Sequence, residues 1–280
     1  MTSEALAVER LGPNDVAGGL ALSDAAGWNQ TVDDWSFFIR NGETFGLRDD
    51  DGALIASAAA LPYDARTGWI SMVLVDAAHR HRGLASRLVD VCVAALRDTG
   101  RTPVLDATPA GAAVYAKLGF VGGFTFDRWE GEADAVEVTP SRARTASAAD
   151  TGTLIDLDRL AGGVDRAALL RAFLVRSGTR AWLTGKSNAF AISRAGRRAV
   201  QIGPVVARDE GAAIELVAAS LAGFAGPVFV DVPAHCVSLA SELARRSFVR
   251  QRSFVRMALG DARAAAQRDA VFALAGPEFG

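Results

Sequence analysis

The sequence predicts a mixed α/β fold, an α+β arrangement around a mixed sheet, built twice in tandem. Three observations carry this. Residues 69–97 run from an apolar, β-branched stretch through a short polar turn into a segment with apolar residues at Leu84, Leu88, Val91, Ala95 and Leu96. That is a buried strand feeding an amphipathic helix. Asp51-Gly52 stands between two apolar runs, which is the composition of a hairpin turn. The second half then repeats the element order of the first, as a duplicated unit does.

The elements follow in order. Residues 5–11 alternate as a first strand. Pro13, with Asn14 and Asp15 beside it, opens a helix to residue 25, and Gly27-Trp28-Asn29-Gln30 breaks it. Thr31 caps a second helix to residue 40, with Asp33 and Asp34 in the first turn, where the helix dipole favours carboxylates. Residues 44–48 and 53–63 pair as strands across Asp49-Asp50-Asp51-Gly52. That acidic turn lacks the downstream glutamate and spacing of a calcium loop, so it reads as a solvated turn. Residues 69–75 form the central strand and residues from 84 the central helix. Residues 103–106 are a strand, 108–117 a helix stopped at Gly119, and 122–130 a strand. The polar stretch 132–144, which contains Pro140, reads as an interdomain linker dividing the chain into domains 1–135 and 136–280.

Beyond it, 149–160 and 166–176 read as helices, 181–184, 189–193 and 200–206 as strands, 212–221 as a helix, 227–232 as a strand and 238–245 as a helix. Single residues register as well: Phe120, Val121, Phe126 and Arg128 match Phe248, Val249, Phe254 and Arg256, each offset by 128 positions. Val104-Leu105-Asp106 parallels Phe229-Val230-Asp231.

Composition bounds the function. The 280 residues, half of them hydrophobic, suffice for two ordinary cores. A net charge of −2 gives no general attraction to nucleic acid or anionic lipid. Residues 1–10 lack the basic start and apolar run of a secretory signal, and no apolar stretch reaches a membrane span. The expectation is a cytoplasmic protein with no nucleic-acid or membrane partner. Cys92 and Cys236 read as reduced thiols, and the three histidines and two cysteines show no metal-ligand spacing, so no metal is expected.

The turn from Asp76 to Arg82 carries the chemistry. Gly83 stands where the central helix begins and lets a bound group approach the backbone. The unpartnered first N–H groups, the positive end of the helix dipole, and Arg80 and Arg82 together make an anion site. The spacing is neither that of a dinucleotide loop nor that of a P-loop, so NAD and ATP are not indicated.

This stretch resembles the acyl-CoA loop of the GNAT superfamily of N-acetyltransferases, Gln/Arg-x-x-Gly-x-Gly/Ala, with Arg80, Gly83 and Ala85 in the three defined positions. Tyr115, Leu118, Gly119 and Phe120 are similar to the Tyr-x-x-Leu-Gly-Phe segment that the family places downstream. The resemblance covers about residues 5–130 and implies two tandem GNAT-like domains, the second degenerate. It implies that Val73, Leu74 and Val75 carry the pantetheine arm of acetyl-CoA as an added strand. Arg80, His81, Arg82, Gly83, Leu84, Ala85 and Ser86 would hold the pyrophosphate. Thr108 stands where many members carry an asparagine against the arm, and Gly111 where alanine is usual. A bulge near Val73 would supply an oxyanion donor, and Tyr115 the proton for the departing thiolate. The family's acceptor cleft lies between the first two helices and the sheet, where Trp28, Asn29 and Gln30 fall; Trp28 equally suits a plug in the core. Asp33, Asp34, Tyr63, Asp64 and Asp127 remain open as the base.

The second copy has Ala207-Arg208-Asp209-Glu210-Gly211 in place of the glycine loop, and its acids would repel a pyrophosphate. It is expected not to bind CoA. Asp231 either faces the first domain's site or caps the turn after it, the latter being the expectation. The chain is therefore expected to be an acetyl-CoA-dependent N-acetyltransferase acting on a small-molecule or amino-acid-like amine, as a monomer or homodimer. A non-catalytic acyl-CoA sensor and a protein-modifying acetyltransferase are the alternatives.

Overall fold

The structure, a computed structural model, describes residues 6–134, 143–184, 186–222 and 224–280. The first half opens with β1 (Glu9–Arg10), a single 3-10 turn, α1 (Val16–Ala25) and α2 (Val32–Asn41). Thr31 caps α2 as its residue type predicts: its hydroxyl accepts from the Asp34 amide while the Asp34 carboxylate accepts from the Thr31 amide. The half continues through β2 (Glu43–Arg48), β3 (Leu54–Pro62), β4 (Thr67–Val75), α3 (Leu84–Arg97), β5 (Thr102–Ala107), α4 (Pro109–Lys117) and β6 (Val121–Ala133).

The second half repeats the order: β7 (Ala143–Thr145), α5 (Thr151–Gly162), α6 (Ala167–Leu174), β8 (Arg180–Thr184), β9 (Phe190–Arg194), β10 (Val200–Val206), α7 (Glu210–Leu221), β11 (Gly226–Pro233), α8 (Val237–Arg245), β12 (Val249–Ala258) and β13 (Val271–Ala273). Two expectations change. The first strand shortens to two residues, because only Glu9 and Arg10 meet β2. The stretch read as a linker already begins a strand at Ala143, paired with β8; the boundary between 135 and 136 lies outside the described residues.

All the strands but β13 lie on one path, β1-β2-β3-β4-β5-β12-β6-β11-β10-β9-β8-β7. The order shows an exchange. β12, from the second half, enters between β5 and β6 of the first; β6 enters between β12 and β11 of the second. Phe126 and Phe254, equivalent in the two copies, face each other in register and stack with centroids 5.0 Å apart. The halves thus meet as an isologous pair would, with the pseudo-two-fold passing near these rings.

The exchange also places Arg128 opposite Asp231 and Arg256 opposite Asp106. Arg128 donates through Nε and Nη2 to the two Asp231 oxygens at 2.8 and 2.7 Å. Arg256 donates likewise to Asp106, at 2.9 Å for both bonds. Both carboxylates are 0% exposed. Aromatic faces cover the guanidiniums: Phe229 lies 4.9 Å from Arg128, and Trp69 lies 4.5 Å from Arg256. The fork of arginine matches a carboxylate in two parallel bonds, so each pair holds register as well as charge.

Past β13 the chain returns to the first half. The Phe279 ring stacks on Phe38 at 5.0 Å, the Tyr63 hydroxyl donates to the Phe279 carbonyl at 2.8 Å, and the Trp69 indole donates to the Pro277 carbonyl at 3.2 Å.

Removing one partner of such a pair strands the other as a buried charge, which typically costs about 3–5 kcal/mol. Asp106→Ala and Asp231→Ala should therefore each lower the unfolding free energy by about that amount in urea titrations. A loss below about 1 kcal/mol, the range of an exposed pair, would show that neither bridge governs the register.

Candidate active site

β4 and β5 are hydrogen-bonded in parallel only from Thr67–Trp69 to Thr102–Val104. Beyond that point β5 pairs with β12 while β4 stays with β3, so the two strands part. In the same stretch β4 bulges: the register against β3 shifts across Met72 and Val73, with Met72 at φ +53°. The Ser57 hydroxyl donates to the Met72 carbonyl at 2.8 Å and holds the bulge from behind. A bulge re-aims the backbone that follows it, here Val73. Ile70 to Val73 and Leu105 to Thr108 form the walls of a cavity of about 340 Å³ at this opening.

Below it lies the polar turn. Asp76 caps one 3-10 turn, accepting from the Ala78 amide at 2.9 Å, and Arg80 folds back to the Val75 carbonyl at 3.3 Å. Gly83 caps α3 with φ +76°, and a Cβ there would meet nothing within 4 Å. Arg80, His81, Arg82 and Gly83 are exposed, Ala85 and Ser86 half-buried, and Leu84 is buried to anchor the helix. Among the described residues neither Arg80 nor Arg82 has an acidic partner. An open glycine, free helix N–H groups and two unpaired guanidiniums fit a pyrophosphate, and the parted strands fit an extended acyl-bearing arm. Of the three strand residues expected along such an arm, Val73 lines the cavity, Leu74 is buried in the core and Val75 is half-buried further along β4.

Tyr115 reaches the cavity from α4, whose start Thr108 fixes by accepting from the Gly111 amide at 3.3 Å. That cap uses one acceptor position of the Thr108 hydroxyl and leaves its O–H free to donate. The Tyr115 ring packs 6.1 Å from Phe120, and among the described residues its hydroxyl has no partner. Burial pushes its pKa up to about 12, which keeps the phenol protonated and able to donate.

The acceptor residues behave differently from one another. Trp28 packs against the core cluster that holds Trp35, Phe38 and Trp69, and one part of it lines the cavity. Asn29 is tied to the second half: its Nδ2 donates to the Ala199 carbonyl at 3.0 Å, and its Oδ1 accepts from the Arg198 and Ala199 amides. Gln30 is 4% exposed and lines the cavity with its Oε1 unpartnered.

None of the five groups considered as bases lines it. Asp34 pairs with Arg176 at 2.5 Å, Tyr63 donates to Phe279, Asp64 caps the turn at Thr67, and Asp127 accepts from Ser253 at 2.5 Å. Asp33 is exposed on the first turn of α2. The carboxylates at the cavity wall are Asp106 and Glu278. Beside Gly27, Gly111 and Arg128 of the first half, Arg198, Phe229, Gln251, Arg252, Phe254 and Pro277 of the second also line the cavity. No linear motif marks these residues. They arrive through the strand exchange and the returning C-terminal segment.

The second copy's equivalent opening is filled. β10 and β11 pair in parallel at Val200–Ile202, and past that point β13 enters and pairs with Val205 and Val206. The fit is close: a Cβ on Gly203 would lie 1.8 Å from the Leu274 carbonyl oxygen. Asp209 caps α7, and Glu210 accepts from the Ser238 and Leu239 amides at the start of α8, so carboxylates already sit on both helix ends. Asp231 does not cap the following turn; the strand exchange brings Arg128 to it instead. Among the described residues no group of His, Cys, Asp and Glu is arranged to hold a metal, and no helix is long and apolar enough to cross a membrane.

Residues 20–120 match the Acetyltransferase (GNAT) family, and residues 154–273 match an Acetyltransferase (GNAT) domain. The chain is 25% identical to the uncharacterized N-acetyltransferase YitH of Bacillus subtilis over 85% of its own length and 86% of that protein's. In fold it is similar to a candidate acetyltransferase from Pyrococcus horikoshii, with a TM-score of 0.81 at 20% identity over 100% of this chain and 98% of the other. It is also similar to a tandem GNAT protein from the clavulanic acid biosynthesis pathway, with a TM-score of 0.63 at 16% identity over 91% and 98% of the two chains.

One open opening and one filled opening predict one coenzyme A per chain in calorimetric titration. Gly83→Glu, which puts bulk and negative charge at the helix start, should abolish that binding. A stoichiometry of two, or a site that survives the substitution, would contradict this geometry.

Proposed function

The chain belongs to the GNAT family of acetyltransferases, with one family domain in each half, and from that membership we propose that it is an N-acetyltransferase. In this reading it moves an acetyl group from acetyl-CoA to a primary amine of a small-molecule or amino-acid-like acceptor. The observation that carries the proposal is the cavity itself. It opens where β4 and β5 part, at the Met72–Val73 bulge, with the Tyr115 side chain at its wall.

Acetyl-CoA would supply an activated thioester. The chain's own groups then have separate tasks. Arg80, Arg82 and the amides after Gly83 bind the pyrophosphate. The backbone N–H of Val73 donates to the oxygen on which charge develops. As the amine nitrogen bonds the acetyl carbon and the C–S bond breaks, Tyr115 gives its proton to the leaving sulfur and the nitrogen releases a proton to solvent. The burial-raised pKa of Tyr115 keeps the tyrosine proton available across the neutral range. A cavity of about 340 Å³ walled on one side by the second half suits a small acceptor better than a protein surface.

A panel of amines and amino acids, read out by free-thiol release from acetyl-CoA, tests the proposal. Release that depends on the amine supports it, and release with none of them would leave a binding protein. Tyr115→Phe should lower kcat by roughly 10²-fold with the acetyl-CoA dissociation constant unchanged, as for a lost general acid. Equal loss of binding and rate would show that the ring only packs the helix. No alkaline fall in kcat assignable to Tyr115 is expected below about pH 10.

A further inference from the structure

The charges around the acceptor cavity do not cancel. Arg128 is neutralised by Asp231, Asp106 by Arg256, and Glu278 by Arg194 at 2.9 Å. Two guanidiniums at the wall remain. Arg252, half-buried on β12, donates Nε to Gln251 Oε1 at 3.0 Å and forms no ion pair with a described carboxylate. Arg198, in the turn between β9 and β10, holds the Gly27 carbonyl at 2.7 Å through Nη1 and likewise has no acidic partner among the described residues.

Burial and the neighbouring Arg128 and Arg198 disfavour the charged form of Arg252, while Asp231 and Glu130 oppose them. The wall is therefore crowded with cations that face a cavity instead of a carboxylate. Two further groups lining it, Gln30 Oε1 and Ser71 Oγ, are buried without hydrogen-bond partners. A buried polar atom without a partner is destabilising, and a ligand that meets it removes that penalty.

We propose that Arg252 and Arg198 form an anion subsite for the acceptor, so that the substrate is an amine bearing an anionic group, carboxylate or phosphate. The arginine forks match the oxygens of either anion. Gln30 Oε1 accepts an N–H from the same molecule. The subsite comes from the second half, which gives the degenerate copy a task in the reaction. This inference rests on the transfer reading above.

The test compares matched pairs of probes in thiol-release assays: L-amino acids against their carboxamides, and O-phosphoethanolamine against ethanolamine. The anionic member of at least one pair should have the higher kcat/KM, and the better pair tells carboxylate from phosphate. Arg252→Gln should reduce that preference by about 10- to 100-fold, mainly through KM, with Arg252→Lys restoring part of it. The acetyl-CoA dissociation constant should stay within about twofold, since the pyrophosphate loop lies elsewhere. Equal turnover of neutral and anionic members, a preference that survives Arg252→Gln, or a loss of acetyl-CoA affinity in that variant would each overturn the proposal. If no amine is acetylated, the transfer reading fails, and calorimetric titration of the CoA-saturated protein with the same probes decides the subsite. Binding of an anionic probe that Arg252→Gln removes upholds it, and no binding refutes it.

Discussion

Two buried arginine–aspartate pairs, Arg128–Asp231 and Arg256–Asp106, hold the two halves in register. Each joins the last long strand of one half to the fifth strand of the other, and each is sealed under aromatic rings. Desolvating such ions offsets much of their attraction, so their net contribution to stability is small. Their consequence is selective. A strand slipped by one residue would leave the two charges of its pair buried without partners. The exchange of β6 and β12 therefore has one register that satisfies every charge.

That exchange decides where the cavity can form. Because β12 sits beside β5, the parting of β4 from β5 opens onto residues of the second half, and Arg252 and Phe254 become its wall. The same topology treats the two copies unequally. The first opening keeps its glycine turn and free helix start. The second receives β13, with Leu274 against Gly203, and has carboxylates on its helix ends. Duplication supplied two slots, and the C-terminal segment occupies one of them on its way to seal the other half with Phe279.

Much of this was legible in the residues. The turn 76–83, the Tyr115 helix and the hairpin at Gly52 follow from local rules of capping, periodicity and turn chemistry, and they appear where those rules put them. The offset of 128 between Arg128 and Arg256 was also visible, as was the likeness of Asp106 to Asp231. Their pairing was not, because sequence periodicity says which face a residue takes and not which strand lies opposite. Asp231 looked like a turn cap for that reason. Asn29 looked like a ligand amide, yet its partners are the backbone of residues 198 and 199, some 170 positions away. Residues 271–280 carried no motif, since a segment that fills space between two halves is selected for shape rather than for local pattern.

Native-state hydrogen exchange on the intact chain tests the central claim, that the exchanged strands make the halves one cooperative unit. Amides of β5 and β12 should share a single opening free energy with those of β6 and β11, equal to that of global unfolding. Loss of protection in the strands of one half while those of the other stay closed would mean that each half folds independently, and that the shared ion pairs do not bind the two into one structure.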